Sequence, residues 1–286
     1  MNSLRERITI LVLTYNRIGE LRRTLTRMLA MENGPEVLVV DNASSDSTAA
    51  QIALDFPQAK LIRLQENIGA AARNIGVQQA QTPYVAFCDD DTWWEIPALT
   101  HAADLLDEHS RIAVLNARVL VGPQQHEDPT CALMENSPLP STGLPGKALL
   151  GFLAGACVVR KEAFIEAGGY EPKFFIGGEE ALLALDMIAN GWTLVYCPQL
   201  IVHHYPSSQR DSSARRRLLI RNAFWVAWMR LPFFTALRQT LRICRSSAAA
   251  PFLLFGAMRE MRWILHRRKV LPPRALAMYR LLERTE

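Results

Sequence analysis

The sequence has no run of about 18 apolar residues, so no membrane-spanning helix is expected. It has no apolar signal core behind a basic start, because residues 8–13 are too short for one and read as a strand. It has no C-x-x-C pair either: Cys88, Cys131, Cys157, Cys197 and Cys244 are odd in number and widely spaced. That pattern argues against a disulfide framework and a zinc site, and predicts reduced thiols in a cytoplasmic protein. Internal repeats are missing as well. What remains is 286 residues, 49% of them hydrophobic, enough to bury a sizeable core.

Acidic residues become scarce toward the C-terminus. From Arg210 onward the chain holds 17 Lys and Arg against 4 Asp and Glu, whereas residues 1–209 hold 15 against 24. An acidic body, 1–209, is thus followed by a basic, aromatic-rich region, 210–286.

Within the body, residues 8–13 (ITILVL) form an apolar, β-branched run that fits a strand buried on both faces. A helix is expected over 19–31, a second strand over 36–40, a third over 60–64, an alanine-rich helix over 70–80 and a fourth strand over 84–88. Such alternation predicts a mainly parallel sheet with right-handed crossovers. In sheets of this kind ligands sit beyond the carboxyl ends of the strands. Three of those ends carry polar clusters: Thr14 to Arg17, Asp41 to Asp46, and Asp89-Asp90-Asp91. Further on, a helix is expected near 95–109, strands near 112–121, 151–159 and 193–196, and an apolar helix over 179–189 opened by two acids. Residues 122–146, rich in Pro, Ser and Gly, read as a long loop.

Asp89-Asp90-Asp91 is the sharpest feature. Three adjacent carboxylates repel one another unless a cation or solvent intervenes. In an extended segment Asp89 and Asp91 would share one face and Asp90 the other. Hard ions such as Mg²⁺ or Mn²⁺ favour oxygen ligands, and usually take one or two carboxylates plus substrate phosphates. A solvated turn that caps the next helix is the plainer alternative.

Taken together, TYNR at 14–17, DNASSD at 41–46, NIGAAARNIG from Asn67 to Gly76 and DDD at 89–91 resemble the family 2 glycosyltransferases of the GT-A fold. GACVVRK at 155–161, GGEE at 177–180 and the adjacent His203 and His204 extend the resemblance, which spans roughly residues 7–206. It implies an α/β fold: a GT-A type nucleotide-binding domain with a mainly parallel central sheet, plus a C-terminal helical appendage. It also implies an inverting transfer of a hexosyl or deoxyhexosyl unit from a nucleotide-diphosphate sugar to an acceptor hydroxyl, aided by Mn²⁺ or Mg²⁺.

By the same resemblance Thr14 and Tyr15 line the nucleotide pocket and Asp41 bonds the base. Asn67 and Arg73 sit near the diphosphate and ribose, Asp89 and Asp90 contact the donor, and Asp91 holds the metal, with His203 as a further contact. Glu180 or Glu179 is the catalytic base; where the family often has another acid two positions later, this chain has Leu182. Gly155, Ala156 and the 122–146 loop would shape the acceptor side, with Trp93 or Trp94 available to stack on a sugar. Two rivals stand beside this reading. A nucleotidyltransferase would show a Gly-rich basic phosphate loop after the first strand, where this chain has TYNRIGE. A non-catalytic nucleotide-sugar-binding scaffold would keep the pocket without the base.

In the C-terminal region Arg215, Arg216, Arg217 and Arg221 precede Trp225 and Trp228. Arginine and tryptophan around apolar residues suit a helix lying in the headgroups of an anionic membrane, and hence a peripheral protein acting on a lipid-linked saccharide. The alternative is a basic appendage packed on the catalytic domain, or on a second subunit of a homo-oligomer. A nucleic-acid partner is not expected, because no reader motif accompanies the basic residues.

Overall fold

The computed structural model describes residues 3–30, 34–206, 212–247 and 249–283. A single turn, α1 (Leu4–Arg7), leads into β1 (Ile8–Thr14), α2 (Ile18–Met28), β2 (Glu36–Asp41), α3 (Thr48–Asp55), β3 (Lys60–Arg63), α4 (Ala72–Gln79) and β4 (Tyr84–Asp89). Next come β5 (Thr92–Trp94), α5 (Ile96–Glu108), β6 (Ile112–Val121), β7 (His126–Glu127), α6 (Pro129–Glu135), β8 (Lys147–Leu149), β9 (Ala156–Arg160) and α7 (Lys161–Glu166). The body closes with α8 (Glu179–Ala189) and β10 (Thr193–His204). Five helices follow: α9 (Ser212–Arg230), α10 (Phe233–Arg245), α11 (Ala250–Ala257), α12 (Met261–His266) and α13 (Pro273–Glu283).

One sheet organises the body, in the order β3-β2-β1-β4-β9-β6-β10-β5. β1 is buried along almost its whole length, as its β-branched run requires, and α2 covers the sheet with Leu21, Thr24, Leu25 and Met28 on one helical stripe. The first four strands are parallel, as expected from their alternation with helices. Beyond them the sheet is mixed. β9 enters antiparallel between β4 and β6, and β5 runs antiparallel to β10. The register places Thr14 beside Asp41 and Leu13 beside Asp89, so three polar strand ends share one rim.

Two expectations need correction. Residues 122–146 are not a structureless loop: they contain β7 and α6, whose first turn is fixed by Pro129 and by the Asp128 carboxylate accepting from the Thr130 amide at 2.8 Å. Proline at this position starts a helix rather than breaking one. The strand expected over 151–159 begins only at Ala156, where pairing with Cys88 of β4 becomes possible. The five cysteines are free thiols.

The C-terminal helices pack on the body through α9. Phe224, Trp225 and Met229 close a second apolar cluster with Phe174, Leu182, Leu254 and Ile264. Trp225 is 3% exposed, meets Phe174 and Trp263 edge-on, and donates its indole N–H to the Ala257 carbonyl at 3.2 Å. Burial on this scale corrects the idea that Trp225 faces a membrane. Arg230 forms a two-pronged ion pair with Asp186 of α8 at 2.5 and 2.8 Å.

Asn222 of α9 acts on the loop that leads into α8. It is fully buried, and its amide donates to the carbonyls of Phe174, Ile176 (3.2 Å) and Gly177. That loop needs the help: Phe175 has φ +63°, and Gly177 and Gly178 have φ +84° and +94°. Only glycine adopts such values without cost, so Phe175 is held there by its surroundings. Its carbonyl accepts from the Ala70 amide at 2.7 Å, which joins the loop to the segment before α4. Asn222→Ala leaves buried carbonyls unpaired and is expected to cost about 1–3 kcal/mol of stability in urea denaturation. A loss below about 0.5 kcal/mol would mean that the latch contributes nothing.

Candidate active site

The rim at the ends of β1 and β2 is built by side chains that fasten backbone. Asn16, at φ +54°, accepts from the Ser45 amide at 2.8 Å, while its own amide donates to Ser44 Oγ at 2.8 Å. Asn42 donates to the Gly69 carbonyl and accepts from the Ile68 amide, both at 3.0 Å. Asn67 accepts from the Gly69 amide at 3.0 Å, an Asx-type turn that opens the helical segment leading to Arg73. Gly69, at φ +65°, has no room for a side chain, since a Cβ there would overlap the Phe175 carbonyl. Asp41 is completely buried; one oxygen accepts from the Ser44 amide at 3.1 Å and the other lies 3.7 Å from Arg63 Nε. Tyr15 is exposed at the mouth, with Thr14 buried behind it.

The three aspartates do not alternate as an extended segment would. A turn at residues 90 and 91, between β4 and β5, brings Asp90 and Asp91 to the same cation. Arg17 Nη1 lies 2.6 Å from Asp90 Oδ1 and 3.4 Å from Asp91 Oδ2, and Thr14 donates to Asp90 at 3.2 Å. Burial pushes the Asp90 carboxyl up to about 7, although the Arg17 guanidinium beside it pulls the other way. Asp89 is the outward member and pairs with the buried Arg73. Gly155 stands directly against it: a Cβ at 155 would come within 2.6 Å of Asp89 Oδ2. Ala156, next along the chain, is buried in β9.

The histidines separate across β10. His203 contacts Glu95 Oε1 at 3.2 Å and stacks on Trp93 with ring centroids 5.6 Å apart. His204 points the other way, its Nε2 3.5 Å from Asp91 Oδ1. Of the two histidines, it is His204 rather than His203 that stands beside Asp91. Antiparallel pairing of β10 with β5 and the Tyr205 amide, donating to the Asp91 carbonyl at 2.8 Å, hold this geometry. Trp93 is 5% exposed under Arg27 and Tyr205, and Trp94 is buried with its indole on the Phe87 carbonyl at 3.1 Å. Both rings, for which stacking on a sugar was expected, are buried in this structure.

Glu179 and Glu180 open α8 behind the left-handed Gly178. Burial raises the pKa of both: Glu179 is raised further by Glu180, whereas for Glu180 Arg73 opposes the shift and Asp89 adds to it. Glu180 thus shares the cleft with Arg73 and Asp89, while Glu179 is buried with Oε2 lacking a hydrogen-bond partner among the described residues. Arg215 of α9 lowers both. Asn222, Arg17, Asn42 and His204 carry much of this arrangement.

Among the described residues no three His, Cys, Asp or Glu side chains group as a complete metal site. Asp91 and His204 offer a two-donor set of carboxylate and imidazole. Such a set fits a hard divalent ion that completes its shell with substrate phosphates.

The sequence model described as glycosyl transferase family 2 matches residues 9–168. The chain is 24% identical to the N-acetylglucosaminyl-diphospho-decaprenol L-rhamnosyltransferase of Mycobacterium tuberculosis, over 82% of this chain and 91% of that one. Among solved structures it resembles Staphylococcus aureus TarS 1–349, with TM-score 0.59, 19% identity, and 87% and 69% of the two chains covered. It also resembles the mannosyltransferase PcManGT of Pyrobaculum calidifontis, solved with GDP-Man and Mn²⁺: TM-score 0.58, 19% identity, 95% and 73% covered. The likeness identifies the body as the GT-A glycosyltransferase fold. With more than half of its length matched, the chain belongs to glycosyl transferase family 2.

Proposed function

We propose that this glycosyltransferase moves a hexosyl or deoxyhexosyl unit from a nucleoside-diphosphate sugar to a hydroxyl of a lipid-linked saccharide, with inversion at the anomeric carbon. The observation that carries the reading is the convergence of Asp89, Arg73 and Glu180 beside Asp90, Asp91 and Arg17 at one rim of the sheet. The M. tuberculosis relative, named for a diphospho-decaprenol acceptor, supports the lipid-linked class. Residues 1–209 form the catalytic domain and 210–286 the appendage that latches it. We place the chain in the cytoplasm, peripheral on the inner membrane face.

Thr14, Tyr15 and Asp41 line the nucleoside end, and Asn67 and Arg73 face the diphosphate and ribose. The Arg73 guanidinium offers a forked, permanent positive charge to an anionic donor. Glu180 takes the proton of the acceptor hydroxyl as that oxygen bonds to the anomeric carbon. The bond from that carbon to the β-phosphate oxygen breaks, and its electron pair leaves with the nucleoside diphosphate. Asp91 and His204 would hold Mn²⁺ or Mg²⁺, which supplies neutralisation of charge on the departing diphosphate.

Glu180→Gln is expected to lower kcat about 10²- to 10⁴-fold while donor binding is kept. Because burial raises Glu180, wild-type kcat/KM should climb with pH along a limb above the ordinary carboxylate range, since the base acts only when deprotonated. A Glu180→Gln enzyme with undiminished transfer would overturn the assignment. Mn²⁺ should raise the melting temperature of the wild type, as a ligand of the folded state does, and lose that effect in Asp91→Ala. His204→Ala should weaken the shift and His203→Ala leave it unchanged; the reverse order would restore His203 as the contact.

A further inference from the structure

Helices α10 and α11 both pack on α9 and on each other, which makes them neighbours on the appendage. Their outward faces are apolar where solvent-exposed helices usually are not. Phe234, Phe252 and Phe255 are 82%, 83% and 71% exposed, and Leu237, Leu241 and Met258 stand among them at 40–53%. Ala236 is the single fully buried residue of α10, which points its inward face at α9. At helical spacing Leu237, Leu241 and Phe234 form a stripe bordered by Arg238, Arg242 and Arg245. A folded chain rarely displays a contiguous apolar surface of this kind unless something covers it.

Charge decides what covers it. From residue 233 to 264 there are five arginines, no aspartate and one glutamate, Glu260, which pairs with Lys173. Arg238 and Arg242 share the single carboxylate of Glu283, which leaves excess positive charge beside the stripe. A second copy docking by this face would set arginines against arginines, the arrangement that disfavours association. An anionic bilayer answers both halves of the surface, since phenylalanines enter the acyl boundary while arginines reach the headgroup phosphates. No helix among the described residues is long and apolar enough to cross a membrane, so the contact would lie on the surface.

We infer that the α10–α11 face docks the protein on an anionic membrane. This deepens the reading of a lipid-linked acceptor and rests on it, because docking would hold the cleft near an acceptor confined to the bilayer. It moves the membrane contact away from Trp225, which is committed to the interior.

The test is sedimentation of the full chain with phosphatidylcholine vesicles, with and without about one-third phosphatidylglycerol. Wild type should pellet with the anionic vesicles, and added salt should weaken the binding. The triple variant F234S/F252S/F255S removes only exposed side chains and should keep its melting temperature while losing at least about tenfold in partitioning. R245E/R259E should weaken binding to anionic vesicles alone, by roughly fivefold or more per arginine. Wild type that ignores both vesicles, or a triple variant that binds as well as wild type, would overturn the inference. So would a lipid-free dimer, seen by analytical ultracentrifugation, that the triple variant dissolves. Nucleotide binding in lipid-free buffer reads the catalytic site separately. Its loss would count against the transfer reading, and its retention without vesicle binding against the docking face alone.

Discussion

The crowding of carboxylates at one sheet rim is the constraint on which the rest of the structure depends. Asp41, Asp89, Asp90, Asp91, Glu179 and Glu180 gather where β1, β2 and β4 end and α8 begins, and four of the six are buried. Like charges about 4 Å apart interact by roughly 4 kcal/mol at an intermediate effective dielectric, too much for such a cluster to stand unrelieved. Guanidiniums relieve it: Arg17 on Asp90 and Asp91, Arg73 on Asp89, Arg63 beside Asp41, and Arg215 acting on both glutamates. Burial is the main reason that Asp90 is pushed up to about 7 and that both glutamates are raised, and neighbouring carboxylates add to it. A bare diphosphate would add negative charge to this rim. A divalent cation arriving with the diphosphate would offset that charge, which is the physical ground for the metal in the proposed function.

Holding these charges requires a rigid frame, and much of that frame comes from outside the sheet. Asn222 fixes the left-handed loop ahead of Glu179, and the same loop hydrogen-bonds the segment that leads to Arg73. The segments that carry Arg73 and Glu180 are thereby tied to one loop. The C-terminal helices bury Trp225 and Met229 to hold that latch in place, and their remaining apolar residues face outward on α10 and α11. The appendage thus braces the candidate site and carries the exposed apolar residues of α10 and α11.

What the sequence made legible was set by periodicity. Strands β1, β2 and β4 announce themselves as apolar runs, and each ends on polar residues, so the rim that holds Asp41, Asp89 and Asp91 was readable before any coordinates. The misses arise where local pattern yields to tertiary contact. His203 and His204 differ only in which face of β10 they occupy, and that depends on the register with β5. Trp93 resembled a sugar platform because nothing in the sequence tells that Arg27 and Tyr205 cover it. Arg17 sits 73 residues from Asp90, and Asn222 lies 45 residues from Gly177. No periodicity reports pairings at that separation.

Calorimetric titration of the wild type with UDP, GDP, dTDP and CDP, each with and without Mn²⁺, tests the central claim most directly. The account predicts that one nucleotide binds with Mn²⁺ and at least about tenfold more weakly without it, because the metal offsets the crowded carboxylates. Equal affinity with and without the metal, or no binding by any of the four, would contradict it.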